Sequence, residues 1–209
     1  MKNLVTIIIV SFKSKNIIEK SIKSIKKDIS IIIIENSQDI ILKKKLEKKY
    51  KNVKVILNKN KGFGQAANLG VKNTKSKYLL LSSPDIIFKV DPIKYFSNIA
   101  KKLNNKFGLL IPSNNMKKKI SLIKKPFGTP IIFVERKKFL QMNGYDEKFF
   151  LYFEEIDLFL RCKKNNLKVF FASNFKIKHN RASSISINKE KIKNLRAWHY
   201  MWSMFYCYK

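Results

Sequence analysis

Residues 5–10 read VTIIIV. Every one of them is β-branched and the apolar side chains fall on both parities, so an extended chain here presents hydrophobic groups to both of its faces. That is the pattern of a strand buried on both sides of a parallel sheet. Outward from it, Ile17, Ile18, Ile22 and Ile25 recur at helical spacing with lysines between them, which predicts an amphipathic helix. A second buried strand, ISIIIIENS, spans residues 29–37, and a lysine-rich helix runs from it through Tyr50. VKVIL at 53–57 is a third strand, and NKNKGFGQAANLGVKNT at 58–74 is a polar, glycine-containing loop entering a helix. KYLLLSSPD at 77–85, a helix over 92–103 and FGLLIPS at 107–113 continue the alternation.

Strands alternating with helices of this length imply right-handed crossovers and an α/β fold, a mostly parallel sheet with helices on both faces. Ligands of such sheets bind beyond the carboxyl ends of the strands. This rule selects Ser11 with Phe12, Glu35 with Asn36, and Ser83 with Asp85. The second half is less regular. SNNMKKKISLIKKPFGT (113–129) reads as an exposed loop, PIIFVE (130–135) as a strand, and RKKFLQMN (136–143) as a short helix stopped at Gly144. LKVFFASNFKIKHN (167–180) has strand character, and a basic aromatic tail ends in RAWHYMWSMFYCYK.

The chain has 209 residues, 45% of them hydrophobic, enough for one domain with a substantial core. Lys and Arg number 45 against 14 acids, a formal charge of +31. Clustered cations of this kind bind nucleic acid through its phosphates. Yet the arginines are only Arg136, Arg161, Arg181 and Arg196, whereas base readout and bidentate phosphate contacts favour Arg. Biased codon usage gives the same enrichment in Lys, Ile and Asn, so no specific nucleic-acid partner is expected. Anionic lipid or a nucleotide diphosphate would still be attracted. Cys162 and Cys207 form no metal-binding or disulfide pattern, and the N-terminal apolar run is too short to span a bilayer. A cytoplasmic protein is the expectation.

The acids are unevenly spent. Asp146, Glu147, Glu154, Glu155 and Asp157 fall within twelve residues, in and around FFLYFEEIDLFLR at 149–161. Acids in a first helical turn complement the macrodipole, and Asp157 stands four residues before Arg161, the spacing of an ion pair. Those effects explain Asp157 better than Glu154 and Glu155. On a helix, Ile156, Phe159 and Leu160 would form an apolar stripe with the two glutamates at its N-terminal end, beside aromatics that partly desolvate them. Desolvation raises a carboxyl pKa and suits it to accept a proton near neutrality.

Asp85 following a central strand has two readings, a ligand for a divalent ion or a turn-forming residue beside Pro84. Glu35 likewise either accepts hydrogen bonds from a base or ribose or caps the next helix. GFGQAA (62–67) formally matches a dinucleotide fingerprint, but it follows the third strand instead of the first. A nucleotide-binding oxidoreductase is therefore an alternative, as is a basic nucleic-acid-binding module. His179 and His199 are the only histidines.

In order, VTIIIVSFKS, IIIIENS, NKGFGQAANLG, LLLSSPD, GYDEKFFLYFEEIDLFLR and KHNRASS resemble the successive motifs of glycosyltransferase family 2, in its rhamnosyltransferase-like branch. The resemblance covers residues 4 to 184. It implies a GT-A fold, Rossmann-like and mostly parallel, with a nucleotide-binding half at about 1–110, a smaller acceptor-side half at 111–185, and a separate tail at 186–209. It also implies inverting transfer of a sugar from a nucleotide-diphosphate donor to a hydroxyl of a glycan or lipid-linked saccharide.

The same resemblance implies roles for single residues. Glu35 stands where a family Asp reads the base or ribose. Asp85 falls on the acid of the DxD-like metal motif, His179 on the histidine that completes the Mg or Mn site, and Glu155 on the general base with Glu154 beside it. Ser11, Gly62, Gly64, Asn68 and Ser83 would line the donor site. Ser83 replaces the first acid of a full DxD, so the metal would rest on fewer protein ligands, and Lys13 replaces a common Asn. The tail, with Trp198, Tyr200, Trp202, Phe205 and Tyr206 among basic residues, would lie in an anionic membrane interface on the inner face or pack as a helix on the catalytic domain.

Overall fold

A computed structural model describes residues 4–113, 119–179 and 189–209, with the backbone alone for 189–192. The KHNRASS motif beyond His179, Arg181 and the expected boundary at 185/186 lie outside the described residues.

The N-terminal half builds the expected alternation: β1 (Val5–Ser11), α1 (Ile18–Lys23), β2 (Ser30–Glu35), α2 (Ile40–Lys49), β3 (Val53–Leu57), α3 (Phe63–Lys72) and β4 (Tyr78–Ser82). After it come β5 (Ile86–Phe88), α4 (Pro92–Lys102), β6 (Leu109–Ser113), β7 (Ile120–Leu122), β8 (Ile131–Glu135) and α5 (Arg136–Gln141). The chain ends in α6 (Glu154–Lys164), β9 (Val169–Ser173), β10 (Ile177–His179) and α7 (Lys189–Cys207). The main sheet runs β3-β2-β1-β4-β8-β6-β9-β7. β3, β2, β1 and β4 are mutually parallel, as are β6 and β9. β8 is antiparallel to both β4 and β6, and β7 to β9. A second sheet pairs β10 with β5.

The two-sided burial of VTIIIV shows directly in the core. Ile7 and Ile9 join Ile31, Ile33 and Leu80 in a cluster that also takes Ile18 and Ile22 of α1, Leu42 and Leu46 of α2, and Phe96 of α4. Ile8 and Val10 join Ile32, Ile34, Leu79 and Leu81 on the other face, against Ala67 and Val71 of α3 and Leu158 and Phe159 of α6. Each such side chain contributes about 1.5–3 kcal/mol on full burial. The neighbour order 3-2-1-4 reverses direction at β1, so the carboxyl ends of β1 and β4 flank a topological switch point, where a crevice opens.

Two local expectations change. The presumed loop over 113–129 holds β7, whose Ile120, Ser121 and Leu122 register with Ala172, Phe171 and Phe170 of β9. Lysines flank this three-residue edge strand and mask its pattern in the sequence, as charges on edge strands do. On α6 the buried stripe is Leu158, Phe159 and Cys162, with Glu154 on the same side, while Ile156 and Leu160 are half-buried. The helix is rotated relative to the expected stripe because β9 and α5 both take its inner face, Cys162 Sγ meeting Met142 Sδ at 3.4 Å.

Candidate active site

A cavity of about 600 Å³ opens at the carboxyl ends of β1 and β4. Its floor is Val10, Phe12, Lys13 and Ser14, and Asn36, Asn60, Gly62 and Phe63 form one side. Ser83 and Pro84 stand on another side, Phe150, Leu151 and Tyr152 make a wall, and Leu195, Arg196 and His199 of α7 close over it.

Of the residues expected there, Ser83 and Gly62 line the cavity and Glu35 does not. Glu35 is fully buried. Its Oε2 accepts from the backbone N–H of Ser37 at 3.0 Å and of Asp39 at 2.8 Å, and its Oε1 accepts from the Ser37 hydroxyl. The carboxylate is consumed in shaping the turn ahead of α2, whose cap is Asp39 and not Glu35. Asn36 takes the cavity-facing place. Its N–H donates to Ser11 O at 2.8 Å, and its Oδ1 accepts from Asn58 Nδ2 at 2.9 Å, which also donates to Gln65 Oε1. Ser11 lies beneath this network, fully buried, with its hydroxyl unpartnered among the described residues.

The glycines of GFGQAA serve close packing against the segment that leads into α6. Gly62 has φ +101°, and a Cβ there would fall 2.5 Å from Phe150 O. A Cβ on Gly64 would fall 2.9 Å from Tyr145 Cβ. Asn68 is buried and stitches α3 to the same segment, donating to Tyr145 O at 2.9 Å and Glu147 Oε1 at 3.0 Å and accepting from Tyr145 N at 2.9 Å. Gly64 and Asn68, expected at the donor site, are therefore not among the residues that line the cavity: α3 buries that side of itself against residues 145–150. The fingerprint reading of GFGQAA loses its physical basis with them.

Asp85 and His179 meet. β10 pairs antiparallel with β5, His179 standing opposite Ile86, and this sets His179 Nε2 at 3.2 Å from Asp85 Oδ2. The Ser83 hydroxyl donates to Asp85 Oδ1 at 2.7 Å and links the pair to the cavity wall. One carboxylate and one imidazole are a donor set that suits Mn or Mg when phosphate oxygens and water complete the shell. No group of three or more His, Cys, Asp or Glu that could hold a metal ion is found among the described residues.

The acidic pair is positioned by backbone strain. Tyr152 and Phe153 have φ of +69° and +67°, a left-handed conformation that bulky residues rarely adopt. The two turns swing the chain from the cavity wall directly into the first turn of α6. Glu154 is buried, and desolvation first, then the charge of Glu155, pushes its carboxyl up to about 8. Glu155 is half-buried; desolvation raises its pKa while its own backbone N–H and that of Thr129 pull it down. Each has an Oε2 with no partner among the described residues. Glu155 faces the loop before β8, with Oε1 3.2 Å from where a Gly128 Cβ would be. Buried Tyr145 is held well above its ordinary pKa by desolvation and by both carboxylates. Asp157 is tied down as its spacing predicts, Oδ2 accepting from Arg161 Nε at 2.8 Å and Nη2 at 2.5 Å.

The aromatic tail is helical and packs on the body. Ser203 Oγ donates to Leu151 O at 2.9 Å, Tyr206 OH to Asp146 Oδ2 at 2.8 Å, and the His199 ring stacks on Phe150 at 4.6 Å. The sequence left Arg196 and His199 without a place in the cavity; their i, i+3 spacing on one helix face is the signal that locates them.

A nucleotide-sized crevice at the switch point of an α/β sheet, with a carboxylate–imidazole pair joined to its lining through Ser83 and two desolvated glutamates directly after its aromatic wall, is the arrangement expected of a glycosyltransferase of the GT-A fold. The model of glycosyl transferase family 2 matches residues 6–158, and the chain belongs to that family. It is 27% identical over 221 residues to the rhamnosyltransferase WbbL of Escherichia coli (strain K12), covering 84% of this chain and 83% of that one. Among solved structures it resembles S. aureus TarS at a TM-score of 0.61 and 13% identity over 81% of this chain. It also resembles GalNAc-T7, solved with UDP, GalNAc and Mn2+, at a TM-score of 0.65 and 14% identity over 84% of this chain. The chain spans 36% of the TarS chain and 43% of the GalNAc-T7 chain. Neither the oxidoreductase nor the nucleic-acid reading finds support in these matches.

Proposed function

We propose that this glycosyltransferase moves a sugar, with inversion, from a nucleotide diphosphate to a hydroxyl of a glycan or lipid-linked saccharide in polysaccharide biosynthesis. The observation that carries the reading is the meeting of Asp85 and His179 on the rim of the cavity, through Ser83, with Glu154 and Glu155 following its aromatic wall. Asn36, Asn60 and Phe12 offer the nucleoside amide groups and a ring face. A divalent ion, Mg or Mn, would be held by Asp85 and His179 and would supply positive charge against the leaving diphosphate.

Glu155 is the base in this reading. It is the more exposed of the pair and faces the loop at Gly128 and Thr129, whereas Glu154 is buried with its pKa pushed up to about 8 and stays protonated at neutrality. A carboxylate pair of this kind divides its roles by environment. Glu155 accepts the acceptor hydroxyl proton as the new C–O bond forms at the anomeric carbon. The bond to the diphosphate breaks on the opposite face, its electron pair leaving with the phosphate oxygen. The similarity to a rhamnosyltransferase and to an enzyme solved with UDP and Mn2+ supports the donor class and the metal.

UDP-, dTDP- and GDP-sugars, each with Mn or Mg, test the proposal by thermal stabilisation and by hydrolysis of the donor. One of them should stabilise the chain and be hydrolysed slowly, and Glu155→Gln should keep the stabilisation and lose the turnover. Binding of none, or full turnover by Glu155→Gln, would overturn it.

The chain's site of action in this proposal is the cytoplasmic membrane surface. No described helix is long and apolar enough to cross a membrane. The outward face of α7 instead exposes Trp198 (60%) and Phe205 (66%) in a chain of charge +31. Aromatic and cationic groups together suit an anionic lipid interface. Flotation with phosphatidylglycerol vesicles should carry the wild type, and Trp198→Ser with Phe205→Ser should release it; equal flotation of both would exclude this face.

A further inference from the structure

The inward face of α7 changes character along its length. At its C-terminal end Ser203 and Tyr206 are hydrogen-bonded to Leu151 and Asp146, and Trp202 and Tyr206 meet the edge of Phe149, so this end anchors the helix. Four and then three residues earlier, the same face reaches the cavity with His199 and Arg196. These two are half-buried while the residues around them, 193–195, 197, 198 and 200, are exposed. A helix face whose task is packing alone carries apolar groups where it is covered. Over the cavity this one carries a guanidinium and an imidazole beside the single apolar side chain of Leu195.

The charged side chains of the cavity lining are cationic. They are Lys13, just after β1, and Arg196 of α7, and no Asp or Glu is among the described residues that line it. Arg136 Nε donates to Val71 O at 3.5 Å, and Arg161 is engaged by Asp157 and by the carbonyls of Met142 and Gly144. Among the described residues no hydrogen bond or ion pair holds Arg196. A half-buried guanidinium without a partner is unfavourable, and a phosphate offers it the bidentate geometry that it matches best. His199 is the less suited of the two to supply charge, since burial lowers its pKa, but its stack on Phe150 fixes this turn of α7 above the cavity.

We propose that Arg196 binds the diphosphate of the nucleotide-sugar donor, so that α7 completes the donor site. The inference rests on the glycosyl-transfer reading above and adds a ligand to it from a part of the chain beyond the matched family region, which ends at residue 158.

Calorimetric titration of the full chain with UDP, dTDP and GDP, each beside its free nucleoside, tests it. The nucleoside diphosphate that the wild type binds best should bind ~10- to 100-fold more weakly to Arg196→Gln, the loss typical of a charged hydrogen-bond pair. The matching nucleoside should bind both proteins equally, and Arg196→Lys should recover part of the loss. Unchanged diphosphate affinity, or equal losses for diphosphate and nucleoside, would overturn the role of Arg196 while leaving the transferase reading intact. Failure of the wild type to bind any of the three diphosphates would instead overturn the transferase reading and this inference with it. Should Arg196→Gln not fold, Arg196→Lys decides: it keeps the charge without the fork, and wild-type diphosphate affinity in it would reject bidentate binding.

Discussion

His179 Nε2 stands 3.2 Å from Asp85 Oδ2 because β10 and β5 pair antiparallel and bring His179 opposite Ile86. The contact sits at the end of a two-stranded sheet whose Ile86 and Phe88 are anchored in the main core. Asp85→Asn and His179→Ala should each lower kcat by ~10²–10³-fold, the cost of losing one group that offsets charge in the transition state. Chelation with EDTA should abolish turnover, and Mn or Mg should restore it in the wild type more fully than in either variant. Turnover indifferent to EDTA and to His179→Ala would remove the pair from the mechanism.

The two glutamates should separate in rate and in pH dependence. Glu155→Gln should lower kcat by ~10²–10⁴-fold, the range of a lost general base, and Glu154→Gln by far less. The kcat/KM of the wild type should rise with pH through a limb above the ordinary carboxylate range, because desolvation raises Glu155. A limb at the ordinary value would place the base elsewhere.

Glu154 also makes a stability prediction. Folding pushes its carboxyl from 4.5 up to about 8, so the folded state holds a proton that the unfolded chain releases. Its favourable contribution is complete below about 4.5 and is lost as pH rises toward about 8. Glu154→Gln, which cannot ionise, should therefore gain in melting temperature over the wild type between pH 5 and pH 8. A constant difference across that window would mean that Glu154 is not held protonated.

Gly62 is needed for its backbone, and Gly64 for space alone. At φ +101°, with a would-be Cβ 2.5 Å from Phe150 O, Gly62→Ala combines strain with a clash against main chain. It should cost about 1–3 kcal/mol in denaturant unfolding and displace the cavity wall, raising KM for the donor. Gly64→Ala meets a side-chain atom, Tyr145 Cβ, and should lower stability with little effect on KM.

Asn68→Ala should be costly although Asn68 is not among the residues that line the cavity. It leaves Tyr145 N and O without their partner in a buried place, worth about 1–3 kcal/mol. Asn68→Asp should be worse than Asn68→Ala at neutral pH, since the new carboxylate would face Glu147. Urea midpoints measure both, and an Asp variant as stable as the wild type would contradict the hydrogen-bond assignment.

Much of the fold was legible because its cause is local. VTIIIV and SIIIIE carry apolar groups on both parities, and Ile7 and Ile8 do bury into opposite clusters. The rotation of α6 was not legible, because Leu158, Phe159 and Cys162 are chosen by the surfaces that meet the helix, and β7 is too short to show a period.

By itself, then, the sequence determined the alternating architecture, the strand ends where a ligand could bind, and the concentration of carboxylates at the start of α6. These follow from side-chain periodicity and composition, which act over a few residues. Only the tertiary structure decided that Glu35 turns inward while Asn36 faces the cavity, that Asp85 meets His179, and that Arg196 closes over the crevice. Such contacts depend on strand register and on where a late helix docks, and both are set by packing between segments far apart in the chain.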